Sequence, residues 1–149
     1  MKKYITLNTD KLFTNLTPQI KEFAKDWNKS GIIHVFSPHT TLAIWMTENE
    51  ILHHADIRFF LDAYAPIAKQ PEGVQKNTKY LHDMISLRND TPPDERINGH
   101  SHIRYLFFDS SQTVPVDNGE LILGKWKSIF AVELDPIRDR KIICTFIAE

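Results

Sequence analysis

The chain has 149 residues, 42% hydrophobic and 11% aromatic, which suits one ordinary core and excludes two independent ones, so a single domain over residues 1–149 is expected. Its 18 basic and 19 acidic side chains leave a net charge of -1 and no basic stripe for a nucleic-acid backbone. No stretch approaches the ~20 apolar residues of a membrane span, and Met1 to Tyr4 lead into alternating residues rather than an apolar leader, so a soluble, cytoplasmic protein without membrane or nucleic-acid partners is expected.

In chain order, Tyr4, Ile5, Thr6 and Leu7 alternate as a short strand does. Thr17-Pro18 reads as an N-cap with proline in the first turn, and Ile20, Phe23, Ala24 and Trp27 recur at i, i+3, i+4 and i+7. A helix is predicted over residues 18–29, with Gly31 as its stop. Residues 32–36 read as a strand broken by Ser37-Pro38, and residues 41–46 resume an extended run, leaving His39 at the break. Thr47 and Glu50 have capping-box spacing, which predicts a second helix over residues 48–63. Its buried side would be Ile51, Leu52, Ala55, Phe59 and Ala63, with Pro66 just past its end.

Residues 70–98 turn polar, and so long a connection with little core reads as a functional loop or lid. Within it Asn77 would cap a short helix with Tyr80, Leu81, Met84 and Ile85 as its apolar stripe and His82 and Asp83 on the flank. The last third predicts strands over residues 104–108, 113–116, 120–123, 125–134 and 141–147, with Asn118-Gly119 as a tight hairpin and Asp135-Pro136 as a further turn. Cys144, the single cysteine, lies in an apolar run and reads as a small buried hydrophobe.

Histidines beside small polar residues carry most of the chemistry. On a strand, His100 and His102 would share one face about 6.6 Å apart along the chain. Each neutral imidazole offers one lone pair to a metal, while its other nitrogen is held by a neighbour such as Asp83 or Asn98. A solvated or hydrogen-bonded pair is the competing reading. His39 beside Thr40 and Thr41 is either a ligand flanked by two oxyanion-binding hydroxyls or a strand-end histidine satisfied by backbone. Glu48 is either a base beside a metal-bound water or a carboxylate complementing a helix dipole.

Adjacent His53 and His54 diverge by about 100° on a helix and, with His34, read as structural or solvated. Trp126 is a core anchor or a stacking ring at a pocket mouth, and Arg138 with Arg140 a phosphate clamp or plain surface charge. There is no glycine-rich phosphate loop, and Ser110-Ser111 lacks a nucleophile-elbow setting.

The order of these islands resembles the YjbQ family, whose members often carry the name secondary thiamine-phosphate synthase. Its marks here are His39-Thr40-Thr41, Glu48-Asn49, the helix near Asp56, Tyr80-x-His82-Asp83, Asn98-x-x-x-His102 and Val114-Pro115-Val116, then Gly119-x-Leu121-x-Leu123-Gly124-x-Trp126 and Arg138-x-Arg140. The resemblance implies an α+β fold, a compact sandwich of mostly antiparallel strands with two main helices, assembled as a homotrimer around histidine-lined pockets. By position, His39, His82 and His102 match the family's histidines and Glu48 its acidic residue. His100 falls where members vary between aspartate and histidine. Thr47, Asp109 and Lys127 depart from the pattern, Asp109 by adding a charge where backbone would approach a ligand, although Thr47 can still cap a helix.

The expectation that follows is a metal-dependent enzyme acting on a phosphorylated small molecule, a transferase of the thiamine-phosphate synthase type. A divalent metal, zinc among the candidates, would be held by His39, His82 and His102 with His100 close by. Glu48 and His39 would serve as catalytic groups, and Thr40, Thr41, Asn49, Asn98, Ser110, Trp126, Arg138 and Arg140 would receive the ligand. The alternatives are a non-catalytic trimeric metabolite-binding or regulatory protein and a metal-assisted hydrolase.

Overall fold

The computed structural model describes residues 1–67 and 79–149. The expected Asn77 cap and the start of the polar connection lie outside the described residues. Among the described residues eight strands form two sheets: β1 (Lys2–Leu7), β8 (Arg140–Ala148), β3 (Gly31–Phe36), β5 (Ser111–Asp117) and β6 (Glu120–Leu121) in one, and β2 (Phe13–Asn15), β7 (Lys127–Glu133) and β4 (Leu42–Glu48) in the other. Every pairing is antiparallel. The expected α+β sandwich is the observed fold. β2 is an addition, and β6 covers only two of the four residues expected.

Alternation explains the layering. On β4, Leu42 and Ile44 face a core shared with Ile33, Val35, Ile142 and Cys144 of the larger sheet, whereas Ala43 and Trp45 face a second cluster with Leu61 and Val132. β4 and β7 are thus covered on both faces, which is why they read as continuous apolar runs. Helix α1 (Thr17–Trp27) adds Ile20 and Ala24 to the first core, joined by Leu16 just before its start. It ends at Asn28, in the left-handed region at φ 48°, before the expected stop at Gly31. Thr17 is not its cap, since its hydroxyl accepts the Ile129 N–H at 2.9 Å and ties the helix to β7. Asn118 and Gly119 both take positive φ, 47° and 81°, and make the β5–β6 hairpin as expected. Among the described residues no helix is long and apolar enough to cross a membrane.

Four expectations are overturned, one of them in part, between β4 and β5. Helix α2 (Ile51–Tyr64) starts later than predicted because Glu50, not Thr47, is its cap. The Glu50 carboxylate accepts the Leu52 and His53 N–H groups, both at 2.8 Å, while Thr47 stays in β4 with its hydroxyl 2.8 Å from His53 Nε2. The face expected to be buried is also wrong: Leu61 is buried, whereas Ile51, Leu52 and Phe59 are 81%, 71% and 71% exposed. Of the stripe expected around residue 82, Tyr80 is buried as expected, but in the 3-10 segment Leu81–Leu87 Asp83 is buried and Leu81 is exposed.

The predicted strand at residues 104–108 is instead the end of a third helix, α3 (Gly99–Tyr105), followed by turns. Tertiary hydrogen bonds override the weak helix propensity of this segment. Ser101 Oγ donates to the Leu134 carbonyl at 2.5 Å, and Arg104 donates to the Ala65 carbonyl at 2.8 Å and to Asp62 at 2.7 Å.

Candidate active site

His39, His82 and His102 come from three separate segments and line one cavity of about 350 Å³. Thr40, Thr41, Asn98, Arg138 and Arg140 line it with them, as does Glu95. A larger hollow of about 450 Å³ shares His39 and Arg140 with it but holds no other imidazole, so the smaller one is the candidate site.

Local chemistry sets each wall. Ser37 Oγ donates to the Leu42 carbonyl at 2.6 Å and folds the break between β3 and β4 that presents His39. His39 Nε2 accepts the Lys141 N–H at 3.0 Å, which puts the ring proton on Nδ1. On the opposite side the 3-10 segment meets α3 at a tight joint. The Gly99 N–H donates to Asp83 Oδ1 at 2.8 Å, and a Cβ on Gly99 would lie 2.5 Å from Tyr80 Cβ. This joint brings the His82 and His102 rings edge to face, with centroids 4.5 Å apart. His82 Nε2 is buried and has no hydrogen-bond partner among the described residues.

The arginine wall is anchored by carboxylates that do not themselves line the cavity. Arg140 is buried and donates to both oxygens of buried Glu133 at 2.7 and 2.5 Å, to Thr41 Oγ1 at 3.0 Å and to the Asp135 carbonyl at 3.2 Å. Arg138 Nε lies 2.8 Å from Asp135 Oδ2 but is misaligned for donation and is left without an acceptor among the described residues. Burial, and then the Arg140 charge, holds the His39 pKa below its ordinary value of 6.5. Burial, and then His82, does the same for His102. Both rings are therefore neutral at pH 7, but the lone pair of His39 is taken by the Lys141 N–H, which leaves His102 as the ring able to accept a proton.

Several sequence-predicted residues lie elsewhere. His100 does not line the cavity: on a helix, i and i+2 diverge by about 200°, and its Nε2 sits 3.1 Å from Ser101 Oγ. The shared-face reading of His100 and His102 fails for that reason. Glu48 and Asn49 are exposed at the end of β4 and beyond it, and neither they nor Ser110 line the cavity. Trp126 is 66% exposed in a turn with Lys125 Nζ over its ring, so it is no core anchor. Asp83 and Asn98, expected to hold imidazoles, bond the Gly99 N–H and Asp135 instead.

Toward a cation, the described residues offer the His82 and His102 rings, adjoining edge to face, with His82 Nε2 unpartnered among those residues, while His39 Nε2 is engaged by the Lys141 N–H. Among the described residues no three His, Cys, Asp or Glu groups stand together to hold an ion.

The model of the UPF0047 protein YjbQ-like family matches residues 3–149. The chain belongs to that family. It is similar to a UPF0047 protein of Methanothermobacter thermautotrophicus, 38% identical over 114 residues that span 76% of this chain and 66% of that protein. A UPF0047 protein of Archaeoglobus fulgidus is 28% identical across 93% of this chain and 95% of its own length. The crystal structure of a YbjQ-like protein of unknown function from Sulfolobus solfataricus superposes with a TM-score of 0.79 at 25% identity, covering 100% of this chain and 97% of that one.

Of the departures from the family pattern, Asp109 does not line the cavity, and its carboxylate accepts from Gln112 at 2.9 Å. Sequence reasoning missed Glu95, Glu133 and Asp135. Glu133 carried a signal, since a carboxylate inside the apolar run of a doubly covered strand needs a buried cationic partner.

Proposed function

We propose that this cavity binds a phosphorylated small molecule and that the protein is an enzyme acting on it through its imidazoles. The observation that carries this reading is the meeting of His39, His82 and His102 with Arg138 and Arg140 around one small cavity. Two carboxylates hold the guanidinium groups from outside it. Arg138, the free edge of Arg140 and the Thr40 hydroxyl would receive the phosphate, because forked N–H donors match phosphate oxygens. His39 Nδ1–H would donate a proton to the bound molecule, and His102, neutral at pH 7, would accept one when it holds no cation.

A divalent cation, zinc among the candidates, would be held by His82 and His102 and would supply positive charge to a substrate oxygen. Transfer joining a pyrimidine pyrophosphate to a thiazole phosphate is the first turnover to assay. The protein would work as a homotrimer, its copies covering the exposed apolar residues Leu52, Phe59, Phe60, Tyr64 and Phe107.

Calorimetric titration of wild type and Arg138→Ala with inorganic phosphate tests the binding step. Saturable binding that weakens about tenfold or more in the variant is expected. Equal affinity in both, or no binding by wild type, overturns the reading.

A further inference from the structure

We infer that the ligand of this cavity carries a hydrogen-bond donor beside its anionic group, and that Asn98 selects for that donor. The inference rests on the oxyanion reading above and names what the oxyanion must bring with it.

Asn98 is 3% exposed and lines the cavity. Its Nδ2 donates to Asp135 Oδ2 at 3.0 Å. A carboxylate only accepts, so the amide cannot be turned over without setting two lone-pair oxygens against each other. Asp135 is itself fixed, with Arg138 Nε at 2.8 Å and Arg96 Nη1 at 3.6 Å from its two oxygens. The Asn98 backbone is fixed as well, its carbonyl accepting the Ser101 N–H at 2.8 Å. The orphan is therefore Asn98 Oδ1, a pure acceptor that finds no partner among the described residues.

Among those residues four buried side-chain polar atoms lack a partner, and three of them, His82 Nε2, Asn98 Oδ1 and Arg138 Nε, belong to residues of this one cavity. Buried polar groups are normally satisfied, so three orphans on residues that line one space describe the complement of a ligand. Arg138 Nε–H requires an acceptor, which an oxyanion supplies. Asn98 Oδ1 requires a donor, and an oxyanion with no hydroxyl would instead place a negative oxygen against it. The donor comes from one of two sources: the P–O–H of monohydrogen phosphate, or a hydroxyl or amino group on the organic part of a phosphate ester.

The test is calorimetry on the full-length wild-type protein at about pH 8 with four dianions: sulfate, inorganic phosphate, methyl phosphate and glycerol phosphate. Sulfate and methyl phosphate carry no donor. An unmatched acceptor corresponds to about a tenfold loss of affinity or more. Inorganic phosphate binding at least tenfold tighter than sulfate supports the inference with the phosphate hydroxyl as donor. Glycerol phosphate exceeding methyl phosphate by that factor supports it with the organic hydroxyl as donor. In Asn98→Leu, whichever preference is found should fall to about twofold or less, while a retained preference overturns the assignment to Asn98. Equal affinity of wild type for all four dianions overturns the inference and leaves the oxyanion reading intact. Binding of none overturns both.

Discussion

The two walls of the cavity are built on opposite plans. On the arginine side, Arg140 spends its Nε and Nη2 on Glu133, Thr41 and the Asp135 carbonyl, so its position is set before any ligand arrives. On the histidine side, the His82 and His102 rings meet edge to face, and among the described residues His82 Nε2 and Asn98 Oδ1 are left unsatisfied. One wall is stabilised by its own contacts, and the other holds polar atoms whose partners only a ligand would provide. Mutations of Arg140 and the carboxylate that holds it should therefore act on stability, and those of the groups left without a partner among the described residues, Arg138 included, on binding.

The largest effect belongs to the first wall. Glu133→Ala leaves the Arg140 guanidinium buried without its carboxylate and should lower unfolding free energy by about 3–5 kcal/mol in a denaturant titration. A loss under ~1 kcal/mol would show that this wall is not held as described. His82→Leu, on the second wall, removes an orphaned polar atom. It should change stability by less than ~1 kcal/mol while weakening phosphate binding in calorimetry. A variant that unfolds as readily as Glu133→Ala would erase the contrast.

The smallest effect is that of pH. Burial is the leading cause that lowers the pKa of His39, His100 and His102 below 6.5. The unfolded chain therefore takes up these protons first as pH falls. The stability they contribute is complete above about pH 6.5 and is lost as pH drops through the lower folded values. Glu50 and Asp90 are also lowered, but from carboxylate values, so they act only at more acidic pH. Chemical denaturation at pH 7.5 and 5.5 should show the lower stability at 5.5. A rise at 5.5 would reverse the sign assigned to these imidazoles.

The strands were legible because each burial pattern has a simple period: β3, β5 and β8 alternate, and β4 and β7 are apolar on both faces. The α2 stripe was legible as a helix but not as to which side is covered. Periodicity reports that an apolar face exists, not what packs on it, and Ile51, Leu52 and Phe59 are exposed in the single chain. At the site, His39, His82 and His102 could be picked out as islands, whereas His100 was misplaced because His-x-His was read with a strand period. The helix that parts it from His102 is imposed by Leu134, Ala65 and Asp62, all distant in sequence. Asp135 looked like a turn residue, and its hold on Asn98 and Arg138 emerges only from three-dimensional contact.

Histidine side-chain NMR during titration with inorganic phosphate tests the shared cavity most directly, because the chain carries its own controls. The ring resonances of His39, His82 and His102 should shift together along one saturation curve, while those of His34, His53 and His54, which do not line the cavity, stay in place. Shifts confined to the second group, or three cavity imidazoles that move independently or not at all, would contradict a common binding site.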